Sequence, residues 1–217
     1  MAAPTAVPGE RAGRDGPLAI RLLTPAELPA AAGAAARALQ DDPTNVASYG
    51  DDPLVRLAMV HKLFVDVFGQ TTVPQYGAVA GDCVVAVAGV VAPGRCVGTM
   101  MGPMAAEVLA GPEPPLGDPW RASRFWATWA LHDLPGEHWH IGPVGVEPAL
   151  QGMGIGRAVM EGLCAELDEH GRIGWLETNR ERNVRFYSAL GFEVVDEAVA
   201  LGVPNWFMRR DPVPPGR

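Results

Sequence analysis

Three glycines at every second position lie between a strand pattern and a helix pattern. They are Gly152, Gly154 and Gly156, within the segment 151–157, called the glycine loop below. The strand pattern ends at Val146, and an apolar residue recurs every four positions over about 154–170, as on the buried side of a helix. Such glycines let the backbone approach a ligand, and the helix start adds its positive dipole end. The glycine loop therefore predicts a site for a phosphate or a pyrophosphate.

Two other interpretations of the glycine loop stay open at this point. One is a glycine-rich turn that binds nothing. The other is a Rossmann dinucleotide site, which Glu177 favours because such sites carry an acidic residue about 20 positions downstream. The glycine spacing disagrees, since it is G-x-G-x-G rather than G-x-G-x-x-G, and no second β-α-β unit is present in the pattern. The dinucleotide site is therefore the weaker alternative.

The rest of the chain predicts a mixed sheet with helices on both faces. Two strand patterns, 75–80 and 84–92, flank a Gly-Asp turn as in a hairpin, and the second is apolar throughout, as in a central strand. The fold class is therefore α/β, in the sense of an α+β mixed sheet that is mostly antiparallel with one parallel β-α-β unit. The other predictions are strands at 18–23, 138–146, 173–177, 192–198 and 205–210, helices at 25–39, 54–68, 104–109, 120–131, 154–170 and 183–190, and a loop at 41–53.

Length and composition indicate one globular domain. The chain has 217 residues, of which 48% are hydrophobic and 19% are charged, as in an ordinary folded domain. We place the domain at residues 17–211, with flexible tails rich in Pro and Gly at 1–16 and 212–217.

Charge, hydropathy and cysteine usage exclude several partners. The net charge of −8 opposes a phosphodiester backbone, so no nucleic acid is expected. The longest apolar run, 84–92, is far shorter than the roughly 20 residues of a membrane span, so no membrane is expected. The three cysteines are too few for a disulfide scaffold, and none are spaced as in a zinc knuckle, so no metal is expected.

The location and source can also be predicted. The start of the chain lacks the pattern of a signal peptide, which favours the reduced cytoplasm. The 17 basic residues include a single lysine, and Ala, Gly and Pro are abundant. This usage is typical of a GC-rich bacterial genome.

Three segments in the C-terminal part of the chain resemble one enzyme family. The glycine loop, following Val144-x-Val146, resembles the acetyl-CoA signature Q/R-x-x-G-x-G/A of the GNAT superfamily of N-acetyltransferases. Leu176-Glu-Thr-Asn and Arg182-Asn-x-x-Phe-Tyr187 resemble its closing segment, and Trp206-Phe-Met208 resembles its last strand. The match spans 138–210, about a third of the chain. Within the superfamily, the closing segment is most similar to the puromycin N-acetyltransferase branch.

This resemblance implies a GNAT-type acyltransferase fold, acetyl-CoA as co-substrate, and 138–210 as the acetyl-CoA-binding and catalytic half. The end of the strand would hold the pantetheine arm, and the glycine loop would hold the pyrophosphate, with added charge from Arg157. Asn183 and Tyr187 share a helix face along the pantetheine arm, with the tyrosine near the thioester sulfur. The implied cofactor-binding residues are Val144, Gly145, Val146, Gln151, Gly152, Met153, Gly154, Ile155, Gly156, Arg157 and Asn183.

The family's reaction assigns candidate catalytic residues. A neutral amine attacks the thioester carbonyl, and a backbone N–H near Val144 could stabilise the oxyanion. Tyr187 is the implied general acid, since an ordinary tyrosine pKa of about 10 keeps it protonated at neutral pH. His140 is the first candidate for the base, because it shares strand parity with Val144 if no bulge intervenes, and the family places a base on this strand. Glu177 is the second candidate, and either residue could instead be a structural side chain.

The predicted function is transfer of acetyl from acetyl-CoA to a primary amine on a small molecule. The alternatives are a non-catalytic acyl-CoA-binding module and, less favoured, a dinucleotide-binding oxidoreductase. The aromatic residues in 120–129 could form core or line a pocket, and the aspartates in 41–52 could be a solvated face or attract a cationic amine. Formation of a homodimer is left as an open alternative.

Overall fold

The computed structural model describes residues 18–214. The tail predicted at 1–16 lies outside this range, as do the last three residues of the tail predicted at 212–217. The strands are β1 Leu18–Leu22, β2 Tyr76–Ala80, β3 Cys83–Val91, β4 Trp139–Val146, β5 Gly174–Thr178, β6 Glu193–Ala200 and β7 Val203–Arg210. The α-helices are α1 Leu28–Leu39, α2 Pro43–Tyr49, α3 Pro53–Gly69, α4 Val97–Ala110, α5 Ser123–Leu131, α6 Ile155–Glu169 and α7 Glu181–Ser188.

The strands form one mixed sheet in the order β1-β2-β3-β4-β5-β7-β6. Within residues 18–214, β4 and β5 are the one parallel pair, and α6 connects them. The remaining neighbours are antiparallel. The predicted fold class, a mostly antiparallel sheet with one parallel β-α-β unit, is confirmed. None of the helices in this part of the chain is long and apolar enough to cross a membrane.

Helices cover both faces of the sheet, as predicted. On one face α6 buries an apolar stripe against the central strands. On the other face α1 and α3 pack together, and the small alanine side chains of α1 bring this helix close to the sheet. A Cβ at Gly145 of β4 would lie only 3.0 Å from Ala38 Cβ. Residues 84–90 of β3 are buried between the two layers, which explains the continuous apolar run.

Two helices differ from the sequence prediction. The loop predicted at 41–53 contains α2, which Asp42 caps by accepting a hydrogen bond from the Thr44 N–H at 3.1 Å. Asp52 caps α3 in the same way, so these two aspartates satisfy helix ends and do not simply form a solvated acidic face. Each precedes a proline at the first helical position, which is a start signal that the Pro- and Gly-rich composition of the segment obscures. Helix α4 is also longer than the predicted 104–109.

The register of β4 against β3 shifts near the predicted site. Ala88 pairs with Val144, whereas Val90 pairs with Ile141, so β4 spans three residues where β3 spans two. A bulge therefore lies between His140 and Val144. Because a bulge changes the alternation of side chains, equal parity in the sequence does not by itself place these two residues on one face.

A buried ion pair joins α6 to the last strand. Arg210 donates two hydrogen bonds of 2.7 Å to the Asp168 carboxylate, and Arg210 is buried. We expect Asp168→Ala to lower the free energy of unfolding by about 2–4 kcal/mol, because it leaves a buried guanidinium without its partner. Chemical denaturation measures this loss. Asp66→Ala, which removes an exposed pair with Lys62 on α3, is the matched control, with an expected change within about 0.5 kcal/mol.

The same ion pair predicts a pH dependence of stability. Arg210 holds the pKa of Asp168 below its ordinary value. A carboxyl group with a depressed folded-state pKa contributes stability above its unfolded pKa, and this contribution is lost as the pH falls through the folded-state pKa. The Asp168→Ala protein should therefore lose less stability on acidification than the unaltered chain. Equal losses would contradict this role of the pair.

Candidate functional site

The glycine loop has a backbone that favours glycine at two positions. Gly152 and Gly154 have φ of +79° and +82°, which other residues adopt only with strain. Gln151 Nε2 donates a hydrogen bond of 3.1 Å to the Val146 carbonyl and so ties the loop to the end of β4. A Cβ at Gly156 would lie 3.2 Å from Val146 Cγ2. The unpaired N–H groups of the first turn of α6 therefore lie beside the end of β4, where an anion can reach them.

Strands β4 and β5 separate after two residue pairs. The pairs are Trp139 with Gly174 and His140 with Trp175. Beyond them β4 continues to Val146, and among residues 18–214 no strand pairs with its β5-facing edge. Backbone N–H and C=O groups on this edge are available to a ligand, as the expected role in holding a pantetheine arm requires.

Two adjoining cavities lie beside this gap. The large cavity has a volume of about 680 Å³ and the second cavity about 500 Å³. Nine of the implied cofactor-binding residues line the second cavity, namely Val144, Gly145, Val146, Gln151, Gly152, Gly154, Gly156, Arg157 and Asn183. The side chains of Met153 and Ile155 do not, since Met153 is 55% exposed and Ile155 packs into the core. These two residues can offer only backbone groups.

Tyr187 lies where the two cavities meet. Together with Val144 and Asn183, it lines both of them. Asn183 Nδ2 donates a hydrogen bond of 3.1 Å to Thr178 Oγ1 at the end of β5, which fixes the start of α7 against the sheet. The structure therefore brings the two residues predicted on α7 to the boundary between the cavities.

The surroundings of Tyr187 keep its hydroxyl protonated. The ring is buried and steeply inclined to the rings of Phe186 and Phe192, at centroid distances of 5.1 and 5.9 Å. Burial, with the negative charges of Glu177 and Asp42, raises the pKa of Tyr187 above its ordinary value. The hydroxyl is therefore a hydrogen-bond and proton donor at neutral pH.

His140 and Glu177 form a close pair on the wall of the large cavity. His140 Nε2 lies 3.2 Å from Glu177 Oε2, without hydrogen-bond alignment. Among the described residues neither this oxygen nor His140 Nδ1 has a hydrogen-bond partner, although both are buried. Burial alone would lower the pKa of His140, but Glu177 and Cys96 raise it to about 10. The two sequence candidates for the base thus lie in contact with each other.

Both cavities also contain residues that the sequence did not predict. The second cavity is also lined by Arg180 and Arg182. Their position in the sequence, directly after β5 and beside Asn183, could have identified them as site residues. Arg180 also lies 3.4 Å from Asp42 Oδ2. Segments around α4 and α5 form one wall of the large cavity through Arg95, Cys96, Met100, Phe125, Trp126 and Trp129. Trp120, in contrast, is 71% exposed.

Comparison with known proteins assigns the family. Residues 76–192, more than half of the chain, match the family model described as the acetyltransferase (GNAT) family. One similar solved structure is the histone acetyltransferase HPA2 and related acetyltransferase from Corynebacterium glutamicum, with 19% identity, a TM-score of 0.61, and 92% of this chain and 99% of that chain covered.

Two further solved structures share the fold. An agmatine N-acetyltransferase mutant in its apo form has 14% identity and a TM-score of 0.59, with 89% of this chain and 99% of that chain covered. The polyamine N-acetyltransferase of Drosophila melanogaster has 14% identity and a TM-score of 0.59, with coverages of 88% and 98%. At these identities the structures establish a common fold, and the family match establishes that the chain is an enzyme of the acetyltransferase (GNAT) family, whose co-substrate is acetyl-CoA.

Proposed function

We propose that this enzyme transfers acetyl from acetyl-CoA to a primary amine on a small molecule, with Tyr187 as the general acid. The observation that carries the proposal is the meeting of the two cavities at Tyr187. One cavity contains the glycine loop, and the other is large enough for a small organic molecule. A buried, protonated hydroxyl at their boundary is suitably placed to act on a bond broken between them. Family membership removes the dinucleotide-binding oxidoreductase as an alternative.

The residues of the second cavity fit acetyl-CoA. Two glycines with positive φ and the N-terminus of α6 suit a pyrophosphate. Arg157, Arg180 and Arg182 line the same cavity and add positive charge for phosphate groups. The unpaired edge of β4 offers backbone partners to the amides of a pantetheine arm. Together these features support the eleven cofactor-binding residues implied by the sequence, with Met153 and Ile155 acting through their backbone.

The chain's own groups act at three points of the reaction. Bound acetyl-CoA supplies a thioester carbonyl open to attack by an amine and a thiolate leaving group. A backbone N–H near Val144 stabilises negative charge on the carbonyl oxygen. The Tyr187 hydroxyl donates to the departing sulfur. Glu177 accepts the proton of the acceptor ammonium, directly or through water, and His140 Nε2 lies 3.2 Å from its Oε2.

Glu177→Gln tests this assignment of the base. The change keeps the size of the side chain but removes the carboxylate, so we expect acetyl transfer to slow by about 10²-fold, as for loss of a general base. Acetyl-CoA affinity, measured by calorimetry, should stay nearly unchanged because Glu177 lines only the large cavity. Glu193→Gln on the exposed edge of β6 is the control. A full rate in Glu177→Gln together with a slow His140→Gln would transfer the role of base to His140.

The large cavity supports a cationic amine as the acceptor. Trp126 and Trp129 provide aromatic surface and Glu177 provides negative charge, which suits a protonated amine with an apolar body. Two of the structural neighbours carry the names agmatine and polyamine N-acetyltransferase. The similarity of the closing segment to the puromycin N-acetyltransferase branch supports kinship with that branch but does not select puromycin as the substrate.

The proposal also covers the cellular location of the enzyme and its partners. The three cysteines are free, which suits the reduced cytoplasm of a bacterium. The net charge of −8 supports an acceptor other than nucleic acid. Neither a membrane partner nor a metal is part of this reaction as proposed. Light scattering of the purified chain tests whether it forms a homodimer.

An acetyl-transfer screen tests the proposed function. Acetyl-CoA is supplied with a panel of polyamines, agmatine, arylalkylamines, amino-group antibiotics, amino acids and peptides, and release of the coenzyme A thiol is followed. Mass spectrometry of the product should show one added acetyl group on the amine. We expect turnover with at least one cationic small molecule. Tight binding of acetyl-CoA without turnover on any amine would favour the non-catalytic acyl-CoA-binding module.

A further inference from the structure

Four side chains with metal-binding atoms converge at the wall of the large cavity, which two of them line. They are Cys96, Asp133, His138 and His140, and each offers one ligand atom within 4.8 Å of the others. Cys96 and His138 are only 2% and 3% exposed. The residues come from the N-cap of α4, the segment after α5, and the start of β4. This cluster takes no part in the acetyl-transfer chemistry proposed above, apart from the contact of His140 with Glu177.

The distances among three of the four residues are close to those around a tetrahedral ion. Cys96 Sγ lies 3.4 Å from Asp133 Oδ2 and 3.8 Å from His138 Nε2, and Asp133 Oδ1 lies 3.2 Å from that nitrogen. Zinc binds sulfur at about 2.3 Å and nitrogen or oxygen at about 2.0–2.2 Å. In a tetrahedral site these bond lengths place neighbouring ligand atoms about 3.3–3.6 Å apart. The separations among Cys96, Asp133 and His138 are close to these values, although Asp133 contributes Oδ2 to one of them and Oδ1 to the other. The set that includes His140 lies within 4.8 Å, so an ion would draw the ligand atoms closer together.

The hydrogen bonds of His138 orient its other nitrogen toward the cluster. His138 Nδ1 lies 3.1 Å from the Gly136 carbonyl, which can only accept, so Nδ1 carries the hydrogen. In the neutral ring Nε2 is then an acceptor, and it faces the Asp133 carboxylate and the Cys96 sulfur. Burial alone would lower the pKa of His138, but Asp133 and Cys96 raise it to about 9, so without an ion Nε2 carries a proton directed at these two groups. A metal cation between the three groups would take the place of that proton. A ring nitrogen held on a backbone carbonyl is also the usual support of a metal-binding histidine.

His140 provides an independent indication of a ligand. Its Nδ1 is buried and has no hydrogen-bond partner among residues 18–214. Its Nε2 faces the Glu177 carboxylate at 3.2 Å. A carboxylate that accepts a hydrogen bond from the second nitrogen is the arrangement that orients a histidine on zinc, and a small rotation of His140 or Glu177 would complete that bond here. Coordination through Nδ1 would therefore satisfy the unpartnered atom and leave Glu177 on the cavity side.

Other contacts hold the sulfur and the carboxylate in place. The Thr99 backbone N–H donates to Cys96 Sγ at 3.3 Å, and the Thr99 hydroxyl lies 3.1 Å from the same sulfur. Gly98 allows the close approach of Asp133, because a Cβ at this position would lie 2.6 Å from Asp133 Oδ2. N–H donation stabilises a thiolate, which is the form that binds metal.

We propose that Cys96, Asp133, His138 and His140 form a structural Zn²⁺ site. A thiolate with imidazole ligands selects zinc over magnesium or calcium, which prefer all-oxygen sites. The ion joins the start of α4 to β4 and so fixes one wall of the large cavity. With four protein ligands the site is closed, as in structural zinc sites, and supplies no activated water.

Metal binding by the untagged chain tests the site without reference to activity. The metal-free chain, titrated with Zn²⁺, should bind one tight equivalent with a dissociation constant at or below about 10 nM. Co²⁺ in its place should give the charge-transfer band of a thiolate ligand. Cys96→Ser should abolish this band and weaken Zn²⁺ binding at least about 100-fold, whereas Cys83→Ser, which removes an exposed thiol far from the cluster, should leave both unchanged.

The thiolate band distinguishes metal bound at the proposed site from metal bound elsewhere on the chain. A second set at the C-terminal end of α6, Glu166, Glu169 and His170, contains no thiol, so Co²⁺ bound there gives no such band. If Cys96→Ser does not fold, the Co²⁺ spectrum of the unaltered chain decides alone. No tight zinc equivalent, no thiolate band, or a band that persists in Cys96→Ser would overturn the proposal.

Discussion

Replacing Tyr187 with Phe is expected to slow acetyl transfer by about 10²-fold while leaving acetyl-CoA affinity nearly unchanged. The ring packs at a steep angle against Phe186 and Phe192, and the Phe side chain can keep both contacts. The change removes one O–H donor at the boundary of the two cavities. Acid catalysis is worth 10²- to 10⁴-fold, and coenzyme A thiolate is a fairly good leaving group, so we expect a loss of about 10²-fold, at the lower end. Steady-state kinetics and calorimetry measure the two quantities.

Tyr76→Phe is the matched control for this prediction. Tyr76 lies on β2 beside Gly162 of α6 and lines neither cavity, so its hydroxyl should not affect transfer. A normal rate in Tyr187→Phe would show that the hydroxyl is structural. Equal losses of rate and of acetyl-CoA affinity would make Tyr187 a binding residue, because a group that acts in the transition state changes the rate more than ground-state binding.

Replacing Gly154 with Val is expected to abolish the stabilisation of the chain by acetyl-CoA. At saturation, with ligand at about 100 times its dissociation constant, binding should add about 2.7 kcal/mol to the free energy of unfolding and raise the melting temperature. Gly154 has φ of +82°, and a β-branched residue there costs about 1–3 kcal/mol of strain or moves the loop. Its side chain would also obstruct the approach of the pyrophosphate to the backbone. Calorimetric affinity should fall on the order of 10²-fold or more.

Gly117→Val separates ligand binding from general backbone strain. Gly117 has φ of +88° and lines neither cavity, and a Cβ added at this position would meet no atom within 4 Å among the described residues. The control should therefore lose similar intrinsic stability but keep the full acetyl-CoA shift. A full shift in Gly154→Val would mean that the pyrophosphate binds elsewhere.

The sheet and the glycine loop could be predicted because their signals are local. The apolar run of β3 indicates burial on both faces, and the four-residue spacing in α6 indicates one buried stripe. The positive φ of Gly152 and Gly154 is the physical reason for glycine at those positions. The neighbourhood of Tyr187 and Asn183 followed from the family resemblance, and composition alone would not have placed them at a cavity.

Other features depend on packing that the sequence pattern does not show. The bulge in β4 arises from its pairing with β3, so the relation of His140 to Val144 was visible only in the structure. The contact between His140 and Glu177 depends on the two pairs that join β4 to β5 before these strands separate. Both candidate bases could therefore be predicted from the sequence, whereas the contact between them could not.

The proposed metal site at Cys96 could not be predicted from the sequence pattern either. The expectation of no metal came from the spacing of the three cysteines, which is informative only for ligands that are close in sequence. Cys96 lies 37 residues before Asp133, and the close packing of α4 and α5 brings them together. Their convergence with His138 could be found only once that packing was known.

A crystal structure of the chain with acetyl-CoA tests the central claim most directly. We expect the pyrophosphate to lie on the N–H groups of the glycine loop and the pantetheine arm to follow the unpaired edge of β4. We also expect the thioester sulfur to lie within hydrogen-bonding distance of the Tyr187 hydroxyl, with the acetyl group facing the large cavity. A pyrophosphate bound away from the glycine loop, or a sulfur out of reach of Tyr187, would contradict it.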